Sequence, residues 1–226
     1  STENGIARYK PKSHIFDKLD LKQHIKNMAF VNRIYIDSKE WLWYMVNPMI
    51  VFDLKTNKVI RTYKPDLKRK SKTSLPHWNT WDALEDSRGD MWFAHFTGLS
   101  RLNPDGTTFT NYTHNPNDPQ SIPRGLMRVI FEDSQNRFWI GTHAAGLLLW
   151  DRDTETYVQY QYNPKNKTGI GAFGITAISE DARGRIWIGT WGGGLNLFNP
   201  ETKTFTHYFK ENGLPSNVIS GIVPDN

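Results

Sequence analysis

The sequence predicts an all-β fold built of β-propeller blades, four-stranded antiparallel sheets that repeat about every 48 residues. Three observations lead there. One line recurs four times: VNRIYIDSKEWLWYM at 31–45, TWDALEDSRGDMWFA at 80–94, MRVIFEDSQNRFWIGT at 127–142 and ITAISEDARGRIWIGT at 175–190. Three markers stay in phase across those copies. Asp37, Asp86, Asp133 and Asp181 lie 49, 47 and 48 residues apart, a Trp follows each by six (Trp43, Trp92, Trp139, Trp187), and a Tyr closes each copy (Tyr63, Tyr112, Tyr160, Tyr208). Finally, every copy breaks into runs of four to eight residues separated by turn signals, too short and too quickly alternating for helical repeats.

Residues 127–162 show the grammar of one copy. MRVIFED forms a first strand closed by a turn at Ser134-Gln135-Asn136, and RFWIGTH forms a second that turns at Ala144-Ala145-Gly146. LLLWD is the third strand, Arg152-Asp153-Thr154-Glu155 reverses the chain, and YVQYQY is the fourth. Gly89 and Gly184 stand where Asn136 does, residue types that tolerate positive φ in a hairpin turn. Glu40 holds that place in the first copy, so its turn must differ from the others or carry strain. One such sheet cannot bury both faces alone, so blades need neighbours.

Extending the period outward divides the chain. Gly5-Ile6-Ala7-Arg8-Tyr9 matches the third-strand segments that begin at Gly146 and Gly194, and Val218–Asp225 restarts a first strand. The expected organisation is the outer half of a blade at 1–30, then blades at 31–79 (degenerate), 80–126, 127–174 and 175–216, and a further first strand at 217–226. The chain therefore reads as a piece of a larger propeller.

Composition excludes several classes. There is no cysteine, which removes disulfides and thiolate metal sites, and no run approaches the roughly 20 apolar residues that span a bilayer. The net charge of +5 could steer an anionic ligand. Its densest cluster, Lys64–Lys72, has no aromatic residue inside it and reads as a solvated loop rather than a nucleic-acid surface.

The pattern Glu180-Asp181 through Trp187-Ile188-Gly189-Thr190, then Gly192-Gly193-Gly194-Leu195 and Phe205-Thr206-His207-Tyr208, resembles the two-component regulator propeller repeat, as does the connection Tyr112–Ile122. The resemblance is strong over 80–222 and loose over 1–79, where Tyr44-Met45-Val46 replaces Ile-Gly-Thr. It implies an extracytoplasmic, periplasmic sensor of a membrane-anchored hybrid histidine kinase, of the kind that detects oligosaccharides. The membrane would then be reached only through other parts of the parent protein.

The repeated Asp and Trp are expected to be structural, the Asp bonding turn N–H groups and the Trp packing between sheets. The pairs Glu85-Asp86, Glu132-Asp133 and Glu180-Asp181 belong to the repeat, and strand neighbours point to opposite faces, so they make poor acid/base partners. Residues that break the repeat are better ligand contacts. Trp191, His143 and His95-Phe96 follow second strands, and the connections carrying His77-Trp78 and Pro123-Arg124 should reach the same face. An aromatic ring beside hydrogen-bond donors suits a sugar. His95 and His143 without a third ligand do not make a metal site. No catalytic motif is present, so the expectation is a non-enzymatic sensor without cofactor, with self-association through open sheet edges or a homodimer. A protein-interaction scaffold and a propeller lyase are the alternatives.

Overall fold

The computed structural model describes residues 6–10, 15–19, 33–68, 71, 73–77 and 79–224. Trp78 lies outside these, as do Arg69, Lys70 and Lys72 of the basic cluster. The chain begins with a hairpin of β1 (Ile6–Lys10) and β2 (Ile15–Leu19). Four antiparallel sheets follow. The first holds β3 (Ile34–Ile36), β4 (Trp41–Tyr44), β5 (Met49–Asp53) and β6 (Lys58–Tyr63), and the second β7 (Thr80–Glu85), β8 (Met91–His95), β9 (Gly98–Leu102) and β10 (Phe109–Thr113). The third holds β11 (Met127–Glu132), β12 (Phe138–Thr142), β13 (Leu147–Asp151) and β14 (Thr156–Tyr160), and the fourth β15 (Ile175–Glu180), β16 (Ile186–Thr190), β17 (Leu195–Asn199) and β18 (Thr204–Tyr208). Strands pair in sequence order within every sheet. Neighbouring sheets meet chiefly through their first strands, β11 packing on β7 and β8 to one side and on β15 to the other. This is the propeller arrangement the repeat predicts.

The repeated Asp builds the turn between the first two strands. Asp133 accepts the N–H groups of Gln135 (3.0 Å) and Arg137 (2.9 Å) through one oxygen and the Trp139 indole N–H (2.7 Å) through the other. Asp37 and Asp86 do the same for Trp43 and Trp92 at 2.8 Å. One carboxylate thereby closes the turn and satisfies an indole on its way into the core. Glu40 adopts φ 62°, alongside 61° at Asn136, 81° at Gly89 and 73° at Gly184. The first turn therefore keeps the common geometry and Glu40 bears the strain of a left-handed conformation.

The Trp rings fill the seams between sheets. Trp43, Met45, Val51 and Tyr63 of the first sheet pack on Met91, Phe93 and Phe109 of the second. Trp92 and Leu99 meet Phe138, Ile140 and Trp150 at the next seam, and Trp139 meets Ile175, Ile186 and Phe198 at the third. Gly141 is required there because a Cβ would press on Val129 and Ile175.

An exposed polar clasp between neighbouring first-to-second-strand turns uses the Glu of the Glu-Asp pair at each seam. Ser38 donates its backbone N–H (2.6 Å) and its hydroxyl (2.8 Å) to Glu85 of the next sheet. Ser87 does so to Glu132, and Ser134 to Glu180. The paired carboxylates are thus divided between two structural tasks. At the second seam Arg152, almost wholly buried, bridges Asp86 (2.7 Å) and Glu132 (2.6 Å). It supplies the cation that Arg137 and Arg185 supply within the later sheets, because the second sheet has Asp90 at their position.

Candidate functional site

The residue after each second strand returns its N–H to the residue just before the first strand. Phe96 bonds the Asn79 carbonyl (3.3 Å), His143 that of Leu126 (3.0 Å) and Trp191 that of Gly174 (2.8 Å). These three are therefore equivalent positions at one end of the sheets, and all are exposed, Trp191 at 62% and Phe96 at 53%.

His95 is not equivalent to them. It occupies the place of Thr142 and Thr190, whose hydroxyls bond the Gly146 and Gly194 carbonyls at 2.8 Å. His95 is fully buried, its Nε2 2.8 Å from Ser100 Oγ and its Nδ1 3.1 Å from Thr97 Oγ1. The expectation that it faces a ligand is corrected: it replaces a turn-closing threonine, and burial keeps it from the surface. His95 and His143 consequently do not share a site. Among the described residues no three His, Cys, Asp or Glu side chains gather as metal ligands.

The structure brings His143 and Trp191 together. They line a shallow cleft of about 480 Å³ at the third seam, with Tyr162 and Phe173 as further walls and Gly171, Gly174 and Gly192 in its lining. Phe173 is 47% exposed and meets Tyr162 edge-on at 4.9 Å. A Cβ on Gly174 would stand 3.0 Å from the His143 carbonyl and 3.3 Å from Trp191 Cβ, so glycine lets these two loops close on each other. Phe96 sits elsewhere, stacked on His77 at 5.4 Å. Arg124 is exposed on the connection into the third sheet, outside the cleft lining.

The sequence reading missed two residues beside this cleft. Each first strand from the second sheet onward carries a bulge, at Trp81, Arg128 and Thr176 respectively. A bulge re-aims the side chain it frees from the ladder. The Arg128 guanidinium lies 5.8 Å from the Trp191 ring centre and 5.8 Å from that of Trp81. Residue variation did not mark this position: Thr80, Met127 and Ile175 before it and Asp82, Val129 and Ala177 after it differ among the copies just as Trp81, Arg128 and Thr176 do.

One further charge lies one residue beyond the bulge. Asp82 is buried, accepts the N–H of Ile130 in the next sheet (3.1 Å) and that of Ala83 (3.0 Å), and pairs with Arg33 of the preceding sheet at 3.0 Å. Burial, only partly offset by Arg33, raises its pKa from 3.8 to about 6. It is a tie between three sheets. The cleft itself offers aromatic surfaces and hydrogen-bonding groups, the mixture found in ligand pockets.

Comparison with known proteins agrees with the fold. The family model described as "Two component regulator propeller" matches residues 121–144 and 174–192. No curated protein matches the chain in sequence. Among solved structures, the extracellular domain of BT3049 from B. thetaiotaomicron, assigned to a hybrid two component system, is 26% identical, with a TM-score of 0.66 over 85% of this chain and 24% of that one. The extracellular domain of BT4673 from the same organism is 20% identical, with a TM-score of 0.74 over 98% of this chain and 28% of that one. This chain thus spans about a quarter of the length of these extracellular domains. Virginiamycin B lyase from Staphylococcus aureus shares the fold at 15% identity and a TM-score of 0.60, over 88% of this chain and 62% of the lyase. Among the described residues no helix is long and apolar enough to cross a membrane.

Proposed function

This chain carries the two-component regulator propeller repeat, and we propose from that premise that it is a ligand-sensing segment of a periplasmic sensor. In this reading it detects oligosaccharides and signals, without turnover, to a histidine kinase output elsewhere in the parent protein. The observation that carries the reading is the cleft of Trp191, Phe173, Tyr162 and His143 at the third seam. An indole 62% exposed next to a phenyl ring 47% exposed is an apolar platform held open to solvent. A pyranose ring stacks on such a platform while neighbouring donors take its hydroxyls. Because the cleft spans two sheets, an occupant would contact both and bias their packing, which gives binding a route to the rest of a propeller.

Thermal-shift screening against neutral and acidic oligosaccharides tests this. A ligand that binds only the native state raises Tm with concentration. The expected result is a dose-dependent rise for one glycan class that Trp191→Ala abolishes; no rise with any glycan would overturn the reading.

A second reading, a protein-interaction or dimerisation scaffold, draws on the outward face of the fourth sheet, where Trp187, Leu197 and Tyr208 are only half-buried. Sedimentation over a range of concentrations distinguishes it, a strict monomer counting against that use of the face.

A further inference from the structure

We propose that the ligand of this cleft is an acidic saccharide and that Arg128 is the residue that holds its negative group. The proposal rests on the sensor reading above and adds to it a charge requirement and a residue outside the cleft lining.

The first observation is that Arg128 lacks an acidic partner. The other arginines with any substantial burial are spoken for: Arg101 by Asp90, Arg137 by Asp133, Arg152 by Asp86 and Glu132. Even the more exposed Arg33, Arg88 and Arg185 have Asp82, Asp153 and Asp181. Arg128 is half-buried, yet among the described residues it makes no ion pair or hydrogen bond and meets only two indole rings. Withdrawing a guanidinium from water without a counter-charge is unfavourable, and ring attraction at 5.8 Å is near the outer limit of its range.

The second observation is geometric. Guanidinium is planar, with five N–H donors around its edge, a fork that matches the two oxygens of a carboxylate or sulfate. The two indole rings accept none of these N–H groups, so among the described residues the fork has no partner. The bulge at 128 places the group at the inner strands, against the ring that walls the cleft. A sugar stacked on Trp191 would therefore bring substituents of its ring toward the fork. Thr176, the bulge residue of the next sheet, is engaged with the Ile219 carbonyl, so at this seam the charge comes from Arg128.

The test uses matched probes with the full chain. Tetragalacturonate is compared with its methyl ester, which keeps the sugar and removes the charge; a sulfated chondroitin disaccharide is compared with its desulfated form. Affinities are measured by calorimetry for the unmodified chain and for Arg128→Gln, Arg128→Lys and Trp191→Ala. A charge-assisted hydrogen bond predicts that the charged member of one pair binds roughly tenfold to a hundredfold more tightly than its neutral partner. Arg128→Gln should erase that preference while leaving neutral binding unchanged, Arg128→Lys should keep part of it, and Trp191→Ala should weaken both members. Which pair responds separates carboxylate from sulfate. Equal affinity within both pairs, or an Arg128→Gln variant that weakens charged and neutral probes alike, would overturn the assignment while leaving the sensor reading in place. Absence of binding by every saccharide, charged or neutral, would overturn both.

Discussion

The third and fourth sheets carry nearly the same line, Arg137-Phe138-Trp139-Ile140-Gly141-Thr142 and Arg185-Ile186-Trp187-Ile188-Gly189-Thr190, yet the two Trp residues live in different surroundings. Their turns are duplicates. Asp181 takes the N–H groups of Arg183 and Arg185, the Arg185 Nε–H (2.6 Å) and the Trp187 indole (2.9 Å), matching what Asp133 takes. The seams are not duplicates. Trp139 is fully buried and meets Phe198 of the next sheet at 5.2 Å, whereas Trp187 is half-buried and meets Tyr208 of its own sheet at 5.5 Å. The Asp133 side chain is 0% exposed and that of Asp181 20%. The Trp187 indole bond leads the effects that hold the Asp181 carboxyl well below the usual carboxylate range. Local sequence thus sets the turn and its hydrogen bonds, while a neighbouring sheet supplies the burial.

The largest expected effect tests that division directly. Trp139→Ala should cost ~3–5 kcal/mol in urea unfolding, the range for a large buried aromatic. Trp187→Ala, removing the same motif residue from a half-open face, should cost less than half as much. Equal losses would mean that the turn, not the seam, holds the stability.

A smaller effect concerns the tie at Asp82, for which the fourth sheet has Ala177. Its folded pKa of about 6 lies above the unfolded 3.8, so its contribution is complete below pH 3.8 and is lost as pH rises through 6. Stability should fall by up to ~3 kcal/mol across that window from this group. Asp82→Asn should flatten the profile between pH 4 and 7, and an unchanged slope would show that Arg33 compensates the buried charge in full.

The smallest effect sharpens the local half of the comparison. Glu40→Gly should stabilise by ~1 kcal/mol, since glycine adopts the left-handed conformation without a Cβ penalty. A gain at Glu40 together with a loss on Asn136→Ala, both read by thermal melts, would mark these turns as units independent of their seams.

Much of the fold was legible in one copy of the repeat. Asp133, Trp139 and Asn136 act within ten residues of one another, so their spacing announces the turn, and Gly146 announces the next one. The site was legible in part. Trp191 and His143 stood out because they vary where the repeat does not, and they do share a cleft. His95 misled because a one-residue offset separates a buried turn position from an exposed one. Arg128 and Trp81 went unread because strand alternation gives no hint of a bulge.

The sequence by itself determined the class of fold, the strand order within each sheet and the turns, because all of these are settled by interactions over a few residues. Tertiary structure alone decided which Trp is buried, that Ser134 clasps Glu180, that Arg152 crosses to Asp86 and that Arg128 lies against Trp191. Those pairs lie about one repeat or more apart in the chain, and only the docking of one sheet on the next brings them within reach.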